Sequence, residues 1–99
     1  MTQELSFKRR DNEVAVSGDL DRGSVPKAWA DRKNWVPTGT DVVLDLSGVA
    51  HADSAGLALL IRLRSELEMK KQTLSLRHVN KQLQQFAEVS GVQELLSIS

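Results

Sequence analysis

The sequence predicts an α/β fold, a small mixed β-sheet of about four strands with its helices packed mainly on one face. Three observations lead there. Two short alternating segments near the N-terminus are joined by a turn pair, which predicts a hairpin. An apolar run at 42–46 covers both of its faces, as a central, largely parallel strand does. A leucine-rich segment of helical period then leads to another alternating segment, and a strand–helix–strand succession demands a parallel pair with a right-handed crossover.

The elements follow in order. "LSFKRR" alternates Leu5, Phe7 and Arg9 and reads as an edge strand. "NEVAVSG" alternates Val14 and Val16 and ends at Gly18, with Asp11–Asn12 as the connecting turn. The period then changes. Ser24 is placed as an N-cap with Pro26 in the first turn, and Val25, Trp29 and Val36 fall roughly on one helical face. That spacing predicts a helix from Val25 into the thirties, stopped by Pro37, Thr38 and Gly39, with Trp29 in the core. Trp35 lies off the face, where core burial and a surface anchor are both open. "DVVLDLSGV" is the central strand. A helix beginning at Ser54 runs to about Lys71, its terminal lysines suiting the C-terminal end of the dipole. "TLSLRH" alternates Leu74 and Leu76 as a strand. Asn80 caps a short helix with Leu83, Phe86 and Ala87 on one side, ended by Gly91. "QELLSIS" reads as a short strand or a further helical turn. The order is β-β-α-β-α-β-α with a tail, and residues 1–99 are read as one domain.

The helix after Ser54 raises the functional question. At about 100° per residue, Leu57, Leu59, Leu60, Ile61, Leu63 and Leu67 span an arc of roughly 200°, wider than the ~100° stripe a surface helix needs. One sheet covers part of it. The remainder meets a neighbouring helix or a partner, and the Leu59–Leu63 flank is the candidate for an exposed apolar patch. Ser54 has a local explanation as an N-cap, with Asp53 adding a favourable charge at the helix start and Gly56 letting the backbone be approached closely. It also stands where a kinase could reach, and a phosphate there would be favoured by the helix amides and opposed by Asp53.

Composition narrows the chemistry. Lys plus Arg equals Asp plus Glu, so the zero net charge argues against nucleic acid as the main ligand. The chain has no cysteine, which removes disulfides, thiol nucleophiles and zinc–cysteine sites. "MTQELSFKRR" lacks the apolar core of a signal peptide, and "GLALLIRL" is broken by Arg62 and Arg64, so no membrane span is expected. His51 and His78 lack metal-site spacing. His51, Asp53 and Ser54 are neighbours on one turn rather than groups converging from separate elements, so neither a catalytic set nor a cofactor site is expected. No Gly-Lys-Ser/Thr follows Gly48 or Gly56, so no phosphate-binding loop is read there. Lys8–Arg10 is a basic cluster that discourages edge pairing. Asp19 and Asp21 shape a turn.

At this point two blocks acquire a further meaning. "VVLDLSGVAHADSAGLALL" resembles the central motif of the STAS domain: an apolar strand, Asp-Leu-Ser, a short link, then Asp-Ser or Asp-Thr, a small residue and Gly-Leu. "VAVSGDLD" resembles the same family's strand ending in Gly-acidic-Leu-Asp. "GLALLIRL", "AWADR" and "VNKQLQQFAEVSGVQELL" are similar to the STAS subunits of Mla phospholipid-transport ABC transporters, the MlaB family. That resemblance implies a STAS fold and a non-catalytic cytoplasmic subunit, peripheral to the inner membrane through its complex. It further implies binding to an MlaF-like ATPase subunit within a permease complex that moves phospholipid between the Gram-negative inner and outer membranes. It implies that Asp53, Ser54, Ala55, Gly56 and Leu57 lie at or near the ATPase contact, with Arg62 and Leu63 further along the helix and Leu59 on the flank already marked. Ser54 also resembles the phosphorylated serine of anti-sigma-factor antagonists, whose partner is an anti-sigma kinase, and that alternative stays open here.

Overall fold

The computed structural model describes residues 4–90. Its elements are β1 (Ser6–Arg10), β2 (Glu13–Leu20), α1 (Val25–Ala30), α2 (Arg32–Trp35), β3 (Val42–Ala52), α3 (Ser54–Met69), β4 (Leu74–Arg77) and α4 (Lys81–Ser90). The strands lie in the order β1-β2-β3-β4. β1 and β2 form the antiparallel hairpin, turning at Asp11 with φ +54°, a conformation Asp tolerates. β2 and β4 both run parallel to β3, as the two crossovers require.

Register explains why one face is covered. Val14 pairs with Leu44, and Leu44 with Leu76, so the apolar residues of three strands fall in one row on one side. Val16, Val42, Leu46 and Leu74 join them, and all are buried. The opposite face carries Ala15, Ser17, Ser75 and Arg77, and Val43 there is only half-buried. The sheet is therefore apolar on its helix side alone, and the reading of β3 as apolar on both faces is corrected. The ladder between β2 and β3 shifts register twice, between Ala15 and Ser17 and between Gly18 and Asp19. Gly18, at φ +102°, has no room for a Cβ, which would run into the Glu4 carbonyl.

The expected single helix after Ser24 is two. Asp31, at φ −91° and ψ 7°, breaks it and turns the chain before α2. This turn decides between the two readings of Trp35 and moves Trp29 out of the core. Trp35 is the buried one, 5% exposed, stacked on Phe7 with ring centroids 4.1 Å apart and donating its Nε1–H to the Ala28 carbonyl at 2.9 Å. Trp29 is half-buried. Ser24 makes no side-chain cap; its hydroxyl donates to the Asp19 carbonyl at 2.7 Å and accepts from the Asp21 amide at 3.1 Å, bracing the preceding turn.

α4 is capped as expected, the Leu83 amide donating to Asn80 Oδ1 at 2.8 Å. Leu83 and Ala87 are buried, whereas Phe86 lies at the margin of that face, 38% exposed. Gln82 reaches back to β3, accepting from the Ala52 amide at 3.2 Å. Gly91 and "QELLSIS" lie outside the described residues.

Candidate functional site

Asp53 builds the tip of α3. It is extended, φ −129° and ψ −170°, while the next residue is already helical. Its Oδ1 accepts from the amides of Ala55 at 2.8 Å and Gly56 at 3.3 Å. Its Oδ2 accepts from the Arg22 amide at 3.3 Å, tying the helix start to the β2–α1 turn. Asp53, not Ser54, is therefore the N-cap. A carboxylate one residue earlier already fills the geometry the hydroxyl was expected to fill, and Ser54 stands exposed as the first helical residue.

Gly56 is buried, and its lack of a side chain serves the inside of the molecule. A Cβ there would collide with the Leu20 carbonyl oxygen and come within 2.9 Å of Leu20 Cγ. α3 thus sits directly on the end of β2. The leucines are also enclosed: Leu57 is 4% exposed, Leu59 3%, Leu60 1%, Leu63 1% and Leu67 2%. The exposed apolar patch expected at Leu59 and Leu63 does not exist. The wide arc is satisfied internally because α3 meets the sheet beneath, α4 on one flank and α1 on the other.

What the N-terminal half of α3 offers to solvent is a narrow stripe at four-residue spacing, Ser54, Ala58 and Arg62, all exposed, with Ala55 half-buried beside it; nearer its C-terminal end Ser65, Glu68 and Met69 are exposed as well. Trp29 of α1 stands next to it. The Arg62 guanidinium carbon lies 4.3 Å from the Trp29 ring centroid, and that of Arg32 lies 4.1 Å from it. Arg32 is fixed in turn by Glu66 Oε2 at 2.8 Å and the Trp29 carbonyl at 2.9 Å. The stripe thus combines a small-residue track with cationic groups held in place by an aromatic ring.

Of the residues expected at the contact, the structure brings Asp53, Ser54, Ala55 and Arg62 to one accessible edge and sets Gly56, Leu57, Leu59 and Leu63 beneath it. Ala58, Trp29 and Arg22 complete the edge. The four-residue step from Ser54 marks Ala58. No local pattern marks Arg22, which meets Asp53 across 31 positions of sequence.

The other polar groups singled out by the sequence lie away from this edge or brace the turns around it. Asp21 Oδ1 accepts from the amides of Gly23 at 2.9 Å and Ser24 at 3.1 Å, shaping the expected turn. Asp19 is buried. Lys8, Arg9 and Arg10 are exposed on the edge strand. His51 is exposed, and His78 pairs through Nδ1 with Asp45 Oδ1 at 2.9 Å. The Ser47 amide, donating at 3.0 Å, and His78 hold the Asp45 carboxyl below the usual carboxylate range. Among the described residues no cluster of His, Cys, Asp and Glu could hold a metal ion, and no helix is long and apolar enough to cross a membrane.

Comparison with known proteins places this geometry. The family model for the MlaB STAS domain matches residues 4–97. The intermembrane phospholipid transport system binding protein MlaB of Escherichia coli (strain K12) is 32% identical over 80 residues, which is 81% of this chain and 80% of that protein. The protein of the same name from Shigella flexneri matches to the same extent. Among solved structures, the murine Solute Carrier 26 family member A9 anion transporter in its inward-facing state superposes with a TM-score of 0.65 at 17% identity, over 93% of this chain. A second structure of that transporter gives 0.60 at 17% identity. This chain spans 19% and 18% of those two, so the likeness is one of fold. The family match across all the described residues and the relatives at 32% identity agree, and the chain belongs to the MlaB family of STAS domains.

Proposed function

We propose that this chain is a non-catalytic subunit of a phospholipid-transporting ABC complex, one STAS domain over residues 1–99. It docks on the complex's MlaF-like ATPase subunit and is held at the cytoplasmic side of the inner membrane by that complex. The observation that carries the reading is the α3 tip. Asp53 performs the capping, so the Ser54 hydroxyl stands exposed, with no hydrogen-bond partner among the described residues, at the head of the helix, and Ala58 and Arg62 extend the same line. Small residues let a partner's backbone come close, and a ring-stacked arginine supplies a pre-ordered anchor. Asp53, Ser54, Ala55 and Arg62 make the contact together with Ala58 and Trp29. Gly56, Leu57, Leu59 and Leu63 hold the helix from beneath.

The test is co-purification with the ATPase subunit. Ser54→Trp and Arg62→Glu, both at exposed positions, are expected to weaken binding by about tenfold or more while the chain stays folded, Arg62→Glu melting slightly lower for loss of its Trp29 contact. Normal binding by both folded variants would show that the contact lies elsewhere.

The exposed hydroxyl also favours a second reading, an anti-sigma-factor antagonist switched by a kinase at Ser54. A phosphate of roughly −2 charge beside Asp53 would break a complex formed there. Intact-mass analysis of protein from its native cells decides. A phosphorylated fraction mapped to Ser54 supports the switch, and its absence under every growth condition removes it.

A further inference from the structure

The four-residue stripe of α3 does not stop at Arg62. It continues through Glu66 to Lys70, about 24 Å from Ser54 at 1.5 Å per residue, and ends beside a cavity of about 280 Å³ between α2, the segment that follows it and the C-terminal half of α3. The floor of this cavity is mostly apolar, Val36, Pro37, Leu63 and Leu67, all buried, with the buried Gln72 side chain among them, its amide nitrogen spent on the Pro37 and Thr40 carbonyls. Its rim is charged and unbalanced, with Arg32, Lys33 and Lys70 against the single carboxylate of Glu66. Both oxygens of that carboxylate are engaged, Oε2 by Arg32 at 2.8 Å and Oε1 by Lys70 at 3.6 Å. Lys33 is exposed and has no ion-pair partner among the described residues.

We infer that this cavity is a second docking point, which takes one large apolar side chain from an acidic segment of the partner protein. The chemistry of the occupant follows from the walls. An apolar floor calls for an apolar group, and a rim with surplus cations calls for carboxylates on either side of it. Size argues for a side chain over a lipid, because the volume lies below the usual range for a small-molecule pocket and is far too small for two acyl chains. Continuity selects the partner. Arg32 belongs both to the Trp29 stack and to the cavity rim, so a protein lying on the Ser54–Arg62 line reaches the cavity without leaving the surface. The inference rests on the docking of the ATPase subunit through that line.

The experiment titrates the full-length chain against the ATPase subunit at several salt concentrations. Three variants are compared with the unmodified chain: Ser54→Trp at the tip, Lys33→Glu with Lys70→Glu at the rim, and Thr38→Trp, which fills the cavity from its exposed edge. The charge-reversed pair is expected to bind about tenfold more weakly and with a shallower salt dependence. The filling variant is expected to bind more weakly with its salt dependence retained. If Ser54→Trp abolishes binding while the rim pair and Thr38→Trp both bind as the unmodified chain does, the cavity is not a docking point and the α3 tip stands alone. If Ser54→Trp also has no effect, the docking surface itself is wrong. A parallel sedimentation with phosphatidylglycerol vesicles separates the membrane alternative. Vesicle binding that depends on Lys33 and Lys70 without the ATPase subunit would overturn the inference in favour of a lipid surface.

Discussion

Asp53 holds three backbone amides with one carboxylate, two in α3 and one in the turn after β2. Asp53→Ala is therefore expected to lose about 1–2 kcal/mol, read as a melting temperature lower by several degrees. Ser54→Ala should leave the melt unchanged, and a matching loss in both variants would refute the assignment of the cap. Gly56→Ala puts a good helix former in a helix and is nonetheless expected to destabilise by about 1–3 kcal/mol, because the added methyl meets the Leu20 carbonyl. A urea unfolding midpoint measures it. Asp45 gives a pH-dependent prediction. Its folded-state pKa is lowered, so its contribution is present above the unfolded carboxylate's pKa, near 4, and is lost as pH falls through the lower folded value. The stability gap between the unmodified chain and Asp45→Asn should narrow as pH drops below about 4, and a gap that widens in acid would contradict it. At this level the sequence marked where the helix begins and missed which residue caps it. Asp and Ser are both good caps, and a one-residue choice between them depends on where the extended backbone ends.

α3 works as an element because three neighbours share its apolar arc. Leu63→Ala is expected to cost about 2–5 kcal/mol, and a charge at Leu63 should unfold the chain rather than merely uncouple a partner. Circular dichroism of the Leu63 variants checks this, and a folded Leu63→Asp would reopen the question of what covers that flank. The hydrophobic period of α3 was plain in the sequence, and so were the Asp11–Asn12 turn and the Asn80 cap, because each is a local pattern. The fate of the arc was not local. Whether Leu59 and Leu63 face solvent depends on α1 and α4, which lie far off in sequence. Trp29 was assigned to the core for a related reason. Placing Trp29 and Trp35 on one continuous wheel ignores the turn at Asp31, which rotates everything after it and sends Trp35 inward onto Phe7.

For the molecule as a whole, parallel pairing concentrates stability in the middle. β3 is hydrogen-bonded on both sides and buried on its helix side, whereas β1 is an edge strand with three exposed cationic residues. Amide exchange is expected to be slowest at Val42–Leu46 and fast in β1, and equal rates would argue against a central parallel strand. Fold class and strand order were legible because periodicity and connection length determine them. The accessible edge was legible only in part, since Trp29, Arg22 and Ala58 reach it from three separate segments and nothing in their neighbourhoods marks them as a group. The helix layer holds both the tip and the cavity, which leaves the far side of the sheet, with Ala15 and Ser17 exposed, outside either proposed contact. A fluorescent label or a tether to a sensor chip attached through a cysteine at Ala15 would thus point away from a subunit docked on the helix layer. Assembly could then be followed in real time without the handle competing for the surface under study.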